Sequence, residues 1–322
     1  MTHQDTMSEQ APEMDEFEGY HSGFVALAGK PNVGKSTIMN EILGVKLSIT
    51  TDKPQTTRNR ILGVRTFPEK GQIGFVDTPG IHRTSRQINR EMVRTAVDSL
   101  RGVDVVCHVL DVAEFIDHGG AERNSVPKDE QFVLDQYDEL DIPIVLVLNK
   151  DDKVSPKEKL LPVIELFHET ESFADVIPTS ALEGENVDAL TDVLLEQLPE
   201  GPPLFPEDML TDRAERFFAA EFVREELMRR TRQEVPYGIA VEIDTFAEKK
   251  GGDLLEISAV IHVEKKGQKG IVIGKGGEMI KEVGIAARKQ LEEFFGRQVH
   301  LETFVRVEED WSENEEMIQK FL

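Results

Sequence analysis

The chain has 322 residues, with 61 acidic and 37 basic side chains and a formal net charge of −24. This charge excludes a protein that binds polyanions over its whole surface, although it leaves room for a local basic site. The single cysteine, Cys107, excludes an internal disulfide. No apolar run reaches the roughly 18 residues of a membrane span, and the N-terminus lacks a signal-peptide pattern. We expect a cytoplasmic monomer with a disordered tail over residues 1–20.

The first predicted strand, over residues 24–28, leads into the sequence GKPNVGKS and a helix over residues 36–43. This context fits the phosphate-binding pattern G-x-x-x-x-G-K-[ST]. The glycines allow a tight turn whose N–H groups and helix N-terminus bind an anion. Lys35 is expected to reach the β- and γ-phosphates, and the Ser36 hydroxyl to ligate Mg²⁺. The predicted phosphate site consists of Gly29, Lys30, Pro31, Asn32, Val33, Gly34, Lys35, Ser36 and Thr37.

Two later loops have the positions of the nucleotide-sensing switches of P-loop GTPases. The polar stretch over residues 51–58 precedes a strand over residues 61–67, and Thr57, with Thr56 as the alternative, is predicted to bond Mg²⁺ and the γ-phosphate. The strand over residues 72–76 ends in a D-x-x-G pattern, whose acid can hold Mg²⁺ and whose glycine N–H can contact the γ-phosphate. That pattern is Asp77, Thr78, Pro79 and Gly80. We predict Lys35, Thr57 and Gly80 as catalytic, and Ser36, Thr57 and Asp77 as metal ligands.

Water activation cannot be assigned from this pattern. Ile81 follows Gly80, where Ras-type enzymes carry the glutamine that orients the attacking water. His82 is a candidate base, although a lone exposed histidine in a mobile loop is more often a side chain without a role. GTPases without the glutamine are often similar to this chain in carrying an asparagine at the position of Asn32, and some use it to ligate K⁺.

The predicted strand over residues 142–148 ends in an N-K-x-D pattern, Asn149, Lys150 and Asp152. A carboxylate at Asp152 can accept hydrogen bonds from guanine N1–H and N2–H, and it would be left buried and unpaired beside adenine. Asn149 can meet guanine N7, and the Lys150 stem can stack on the ring. A last strand, over residues 176–179, leads to Ser180, Ala181 and Leu182, whose turn can bring the Ala181 N–H to guanine O6. The sequence therefore predicts binding of GTP and GDP.

Strands and helices alternate over residues 24–198, which predicts an α/β domain with a doubly wound, mostly parallel sheet. The motifs all fall at the carboxyl ends of strands, where such folds bind ligands. We place this domain at residues 21–200 and a proline-rich linker at residues 201–207. Residues 115–127 are predicted to form a surface loop without a role.

The remaining elements predict a smaller α+β domain over residues 208–310, followed by a tail over residues 311–322. Its order is αββααβ: a helix over 213–231, strands over 239–247 and 254–263, short helices over 277–283 and 285–295, and a strand over 299–307. A G-x-x-G loop lies at residues 274–277, and residues 265–291 carry seven basic and two acidic residues. In KH domains such a loop clamps single-stranded RNA, although a solvated lysine-rich loop is the alternative. The predicted RNA contacts are Lys269, Gly274, Lys275, Gly276, Gly277 and Lys281.

The combination of a GTPase domain without the catalytic glutamine and a type II KH domain resembles the Era family. The most specific segments are GKPNVGKST (29–37), KPQTTR (53–58) and IVIGKGGEMI (271–280). The resemblance implies a bacterial GTPase that acts in assembly of the small (30S) ribosomal subunit. It also implies single-stranded RNA binding near the 3′ end of 16S rRNA under nucleotide control, and a peripheral contact with the inner membrane. The acidic residues 308–310 depart from the family pattern, where bases are expected.

Two functions remain open at this point. In the first, the chain is a GTP-hydrolysing assembly factor for the small ribosomal subunit. In the second, it is a nucleotide-gated RNA-binding switch in which hydrolysis is incidental.

Overall fold

A computed structural model of the protein describes residues 17–120, 122, 125–170 and 173–322. Of the tail expected over residues 1–20, residues 1–16 lie outside the described residues. Residues 17–20 form a turn in which the Tyr20 N–H donates to the Phe17 carbonyl oxygen.

The N-terminal domain alternates strands and helices, as the sequence predicts. Along the first strand, Val25 and Leu27 face one apolar cluster and Ala26 and Ala28 face another, because helices cover both sides of the sheet. The elements are β1 (His21–Ala28), α1 (Lys35–Leu43), β2 (Ile61–Phe67), β3 (Gly71–Asp77), α2 (Gln87–Asp98), β4 (Val105–Asp111), α3 (Val112–Asp117), α4 (Lys128–Leu134), β5 (Ile144–Asn149), α5 (Leu161–Thr170), β6 (Asp175–Thr179) and α6 (Val187–Glu196).

The six strands form one sheet in the order β2-β3-β1-β4-β5-β6. β2 pairs antiparallel with β3, and the other neighbouring strands are parallel. The predicted α/β doubly wound sheet is therefore confirmed. The carboxyl ends of β1, β3, β5 and β6 lead directly into the predicted nucleotide motifs.

The C-terminal domain has the predicted αββααβ order of a type II KH domain. Its sheet has the order β7-β8-β9, with an antiparallel β7–β8 pair and a parallel β8–β9 pair. Helices pack on one face of that sheet through buried side chains such as Phe218, Phe222 and Leu291. The elements are α7 (Glu215–Arg230), β7 (Ile239–Lys249), β8 (Leu254–Val263), α8 (Lys266–Ile273), α9 (Glu278–Phe295), β9 (Gln298–Val307) and α10 (Glu315–Phe321).

The helix boundaries around the G-x-x-G loop differ from the prediction. The two short helices predicted over 277–283 and 285–295 are one helix, α9, which continues through Gly284. Nothing lies within 4 Å of where a Cβ atom on Gly284 would be, so no close contact requires glycine there. The missed helix is α8, whose sequence Ile271-Val272-Ile273 favours a strand by local preference. Burial of Val272 in the core overrides that preference. The G-x-x-G loop therefore joins two helices.

The loop predicted over residues 115–127 is wrong at its start. Residues up to Asp117 belong to α3, which the Asp111 carboxylate caps by accepting a hydrogen bond from the Glu114 N–H at 3.0 Å. Phe115 is buried against Phe167, with ring centroids 5.4 Å apart. The helix has only six residues, too few to show helical periodicity in the sequence.

The last twelve residues, expected as a tail, pack between the two domains. The Trp311 ring is fully buried and its Nε1–H donates to the Gly238 carbonyl oxygen at 2.9 Å. Ile88 and Met92 of α2 share its apolar cluster. In the part of the chain that the structure describes, no helix is long and apolar enough to cross a bilayer.

Candidate functional site

The turn between β1 and α1 has the backbone of an anion-binding loop. Gly29 has φ 139° and Gly34 has φ 104°, conformations that favour glycine. A Cβ atom on Gly29 would lie 2.4 Å from the Val109 carbonyl oxygen, and one on Gly34 would lie 2.2 Å from the Asn149 amide nitrogen. Both positions therefore require glycine for packing as well as for backbone conformation.

Lys35 lies inside this loop. Its ammonium group donates to the carbonyl oxygens of Lys30 at 2.8 Å and Gly29 at 3.2 Å. Burial lowers the pKa of Lys35 to about 8, although the charges of Asp77 and Glu130 act to raise it. Burial penalises the charged ammonium group of Lys35. A phosphate bound at the loop would place negative charge beside it and offset that penalty.

The three predicted metal ligands meet at the carboxyl end of β3. The Ser36 hydroxyl donates to Asp77 Oδ2 at 2.6 Å and lies 2.8 Å from the Thr57 hydroxyl, and Thr57 donates to the same carboxylate oxygen at 3.4 Å. Asp77 Oδ1 is buried and accepts no hydrogen bond from any described residue. Burial raises the pKa of Asp77, while the Ser36 hydrogen bond and Lys35 oppose that shift. A cation at this cluster would pair the orphaned oxygen, and hydroxyl and carboxylate oxygens suit Mg²⁺.

The choice between the two threonines is clear from their contacts. The Thr56 hydroxyl lies 2.7 Å from both the Lys53 carbonyl oxygen and the Thr51 hydroxyl, within its own loop. Thr57, in contrast, faces Ser36 and Asp77. The geometry therefore favours Thr57.

Gly80 packs directly on the phosphate loop. A Cβ atom on it would lie 2.4 Å from the Pro31 backbone nitrogen, and the next N–H, of Ile81, donates to the Gly29 carbonyl oxygen at 3.0 Å. Thr78 and Pro79 before it are buried, and the Thr78 hydroxyl donates to the Leu27 carbonyl oxygen at 2.8 Å. Ile81 is fully buried and does not line the cavity.

A cavity of about 370 Å³ opens over these elements. The polar groups around it come from the phosphate loop, the switch loops and the base-reading strand end. From the predicted site it is lined by Pro31, Asn32, Gly34, Lys35, Ser36, Thr37, Thr57, Thr78, Gly80 and Lys150. The other residues of the predicted nucleotide site do not line it: Gly29, Lys30, Val33, Asp77, Pro79, Asn149, Asp152, Ser180, Ala181 and Leu182.

The predicted base-reading residues meet at the ends of β5 and β6. Asn149 donates to the Val33 carbonyl oxygen at 2.7 Å and accepts from the Ala181 N–H at 3.1 Å, so it ties three motifs together and keeps one amide hydrogen for a ligand. The Lys150 ammonium group donates to the Asn32 carbonyl oxygen at 2.7 Å and to Asp111 at 2.6 Å. These bonds place the Lys150 stem along the cavity.

Asp152 lies at the exposed edge of the base-reading residues. Its side chain is exposed, and one oxygen accepts a hydrogen bond from the Ser180 hydroxyl at 2.7 Å. Leu182, beside it, is 73% exposed and lines a neighbouring hollow with Ala181. A bound base would cover these side chains and exclude water from them. Asp152 can discriminate guanine from adenine only when it is covered in this way, because an unpaired carboxylate is costly only when it is buried.

Sequence reasoning missed a buried ionic cluster under the phosphate loop. Glu130 of α4 is fully buried, with its carboxylate 3.1 Å from the Lys30 ammonium group and 3.1 Å from His108 Nε2. The other ring nitrogen of His108 lies 2.8 Å from the Tyr137 hydroxyl. Glu130 therefore ties α4 to both β4 and the phosphate loop.

It also missed the contacts that join the first switch loop to the KH domain. Arg224 of α7 donates to the Thr56 carbonyl oxygen at 2.7 Å and is held by two hydrogen bonds to Glu221, at 2.7 and 2.6 Å. Arg58 donates in the opposite direction, to the carbonyl oxygens of Ile239 at 2.7 Å and Tyr237 at 3.0 Å. Thr57 therefore lies between two residues that are bonded to the other domain.

Further contacts extend this interface to both sides of the loop. Glu225 accepts from the Thr50 N–H at 2.9 Å and pairs with Lys46, and Lys53 donates to the Met228 carbonyl oxygen. Lys46 also donates to Gln290 of α9 at 2.7 Å. The helix that begins at the G-x-x-G loop thus touches the segment that leads into the first switch.

The G-x-x-G loop is an open, basic turn. Gly276 and Gly277 have φ 64° and 82°, and nothing lies within 4 Å of where their Cβ atoms would be. Lys275 and Lys281 are exposed and Lys269 is half-buried, while Ile271 and Ile285 leave apolar surface nearby. Gly274 packs against Met279, which closes the turn. A sugar–phosphate backbone can approach such a loop closely.

Comparisons with known proteins agree with both halves of this description. Residues 24–150 match the family model described as 50S ribosome-binding GTPase, and residues 234–312 match the KH domain. GTPase Era of Geotalea daltonii is 47% identical over 303 residues, covering 94% of this chain and 97% of that protein. GTPase Era of Stenotrophomonas maltophilia is 45% identical and covers 98% and 99%.

Two solved structures have the same overall arrangement. One is Era in complex with MgGDPNP and nucleotides 1506–1542 of 16S ribosomal RNA, and the other is an Era variant of Aquifex aeolicus bound to GDP·AlF4⁻. Each aligns with a TM-score of 0.87 at 41% identity, covering 94% of this chain and 98% of the other. The chain belongs to the Era family of GTPases.

Proposed function

We propose that this GTPase acts in assembly of the small ribosomal subunit by binding single-stranded RNA of the 16S rRNA 3′ region under nucleotide control. The observation that carries the proposal is the position of Thr57. Its side chain belongs to the cluster of Ser36 and Asp77, while its neighbours Thr56 and Arg58 are hydrogen-bonded to the KH domain. One short segment therefore contacts both sites.

The phosphate end of the proposed site assigns each group a role. Lys35 and the loop N–H groups bind the β- and γ-phosphates, and the Gly80 N–H senses the γ-phosphate. At the base end, Asp152 accepts from guanine N1–H and N2–H, Asn149 donates to N7, and the Ala181 N–H donates to O6. Phosphoryl transfer needs little more from the protein than positioning and charge stabilisation.

Mg²⁺ fits the residues at the carboxyl end of β3. Ser36, Thr57 and Asp77 would hold it, and the orphaned Asp77 Oδ1 is the atom that gains a partner. When bound, Mg²⁺ would neutralise the charge of the phosphates. Asn32 is exposed at the cavity, and its amide nitrogen donates to the Asp52 carbonyl oxygen at 3.0 Å, which leaves its amide oxygen for a K⁺ ion.

The Era complex with 16S rRNA nucleotides supports RNA as the ligand of the G-x-x-G loop. Local charge supports it as well, because residues 265–291 carry a net charge of +5 in a chain of −24. The proposal places the protein in the cytoplasm, where ribosomes are assembled. A switch without productive hydrolysis would use the same contacts, and the rate of hydrolysis on the ribosomal subunit separates the two functions.

Replacing Gly276 and Gly277 together with aspartate tests the RNA site. The change places two negative charges where the RNA backbone must approach, so binding of a 16S 3′-end oligonucleotide should fall by at least about a hundredfold. Gly251→Asp with Gly252→Asp, in the β7–β8 turn, is the matched control. Those glycines also have positive φ, of 70° and 103°, and open surroundings. Equal RNA binding by both double variants would contradict the proposal.

A further inference from the structure

Two side chains from different switch loops meet beside the phosphate cavity. Gln55 of the first loop lines the cavity, and its amide nitrogen lies 3.2 Å from His82 Nε2 of the second loop. Ile81, the residue in the position of the missing glutamine, is fully buried. Gln55 therefore brings a carboxamide to the cavity from the opposite loop.

The hydrogen bonds around His82 define its tautomer. Its Nδ1 lies 3.0 Å from the Gly80 carbonyl oxygen, which can only accept, so Nδ1 carries the hydrogen. Nε2 is then an acceptor, and the Gln55 amide N–H donates to it. The lone pair of Nε2 thus points toward Gln55, and Gly80 fixes the plane of the ring.

The backbone at Gln55 is also unusual. Its φ is 64°, in the left-handed region that residues with a Cβ atom rarely adopt. Glycine would relieve this cost, yet the chain has a long polar side chain there. Backbone strain of this kind is a pointer to function when other observations agree with it.

We propose that Gln55 orients the attacking water and that His82 positions Gln55. The direct bond from the Gln55 amide N–H to His82 Nε2 holds the carboxamide, whose oxygen accepts a hydrogen bond from the water and leaves a water lone pair for the γ-phosphorus. The new P–O bond forms as the bond to the β–γ bridging oxygen breaks, and that electron pair leaves with GDP. The water proton passes to the released phosphate, so Gln55 and His82 end the step in the state in which they began it.

This inference rests on the proposed position of the γ-phosphate between Lys35 and Gly80. Its test measures two quantities on the full chain: single-turnover GTP hydrolysis and the affinity for GDPNP. The variants are His82→Ala, Gln55→Met, which keeps side-chain length without an amide, and Gln55→Gly, which removes the amide and relieves the backbone. Asn59→Ala, in the same loop and outside the cavity lining, is the control.

We expect His82→Ala to slow hydrolysis about tenfold, because the Gln55 carboxamide loses the hydrogen bond that positions it. Both Gln55 variants should slow it about tenfold, the loss expected from one hydrogen bond. The Gln55→Met/His82→Ala double variant should be no slower than His82→Ala, because the two residues act as one unit. GDPNP affinity should change less than about twofold in each variant, since the lost contacts belong to the water.

Hydrolysis at the parent rate in Gln55→Met and Gln55→Gly, with normal GDPNP binding, would overturn only the inference about Gln55 and His82. Multiplying effects in the double variant would show that the two residues act independently and would also overturn it. A parent chain that fails to bind GDPNP would overturn the nucleotide-site assignment together with this inference.

Discussion

Arg224 and Thr56 are joined by a hydrogen bond of 2.7 Å although they lie 168 residues apart in the chain. The bond runs from a buried guanidinium group of the KH domain to the carbonyl oxygen next to Thr57. The Thr56 carbonyl group belongs to the peptide bond that precedes Thr57. A shift of the Thr57 backbone on binding a γ-phosphate therefore moves the oxygen that accepts from Arg224. This contact gives nucleotide control of RNA binding a physical basis, and it can be broken by substitution.

Arg224→Lys should uncouple RNA affinity from the bound nucleotide. Lysine keeps the charge beside Glu221 but lacks the planar fork that bonds Glu221 and Thr56 together. The ratio of RNA dissociation constants with GDP and GDPNP should fall toward one, from a starting value in the range of about 5- to 150-fold that is typical of coupled sites. Fluorescence anisotropy with a 16S 3′-end oligonucleotide measures it. Arg230→Lys is the control and should keep the parent ratio, because the hydrogen bonds of Arg230 to the described residues go to Glu226.

Thr57→Ala should reduce the preference for GDPNP over GDP, whereas Thr56→Ala should leave it nearly intact. Only Thr57 faces Ser36 and Asp77, while the Thr56 hydroxyl is bonded inside its own loop. We expect a loss of about tenfold in GDPNP affinity for Thr57→Ala with Mg²⁺ present, equivalent to about 1.4 kcal/mol. Titration in EDTA is the control, because removing the metal should erase the difference. The assignment fails if Thr56→Ala shows the larger effect.

Asp152→Asn should change the base that the protein prefers. The substitution loses the acceptor for guanine N1–H and N2–H and offers N–H donors, which match the 2-carbonyl group of xanthine. Affinity for GDP should fall at least about a hundredfold, since a bound base would leave buried donors unpaired. Competition between GDP and xanthosine diphosphate measures this. Unaltered GDP binding would show that another residue reads the base.

Glu130→Gln should destabilise the N-terminal domain by about 3 kcal/mol, because it removes the buried negative charge beside Lys30 and His108. Burial acts to raise the pKa of Glu130, but His108 and Lys30 outweigh it and lower the pKa below its ordinary value of 4.5. The stabilisation is therefore complete above pH 4.5 and is lost as the pH falls through the folded value. Urea unfolding of both proteins at pH 7 and pH 3.5 checks this: their difference in unfolding free energy should shrink at the lower pH. A constant difference would show that the carboxylate charge is not involved.

The nucleotide motifs could be predicted from the sequence because each is a local signal at a strand end. Asp77 and Asn149 come at the ends of apolar runs, so the topology of a parallel sheet brings them to one edge. Thr57 is predicted from its place in the loop with Thr56 as the alternative, and the contacts of the two hydroxyls favour Thr57. Ile271 and Gly284 misled the helix assignment because tertiary packing overrides local preference.

The arginines that join the two domains and the buried Glu130 could not be predicted. Arg58, Arg224 and Glu130 are charged side chains that become buried only through partners far away in the chain. In the sequence they look like ordinary surface charges. Trp311 was similarly hidden, because the acidic residues before it suggested a solvated tail.

The most direct test of the account measures nucleotide and RNA binding in both directions on the full chain. RNA affinity is compared with GDP and with GDPNP bound, and the GDPNP-to-GDP affinity ratio is compared with and without saturating RNA. We predict that both ratios change by the same factor, as linkage through the loop at Thr57 requires. If both ratios stay unchanged, the contacts between the domains do not couple the two binding sites, and that result would contradict the account.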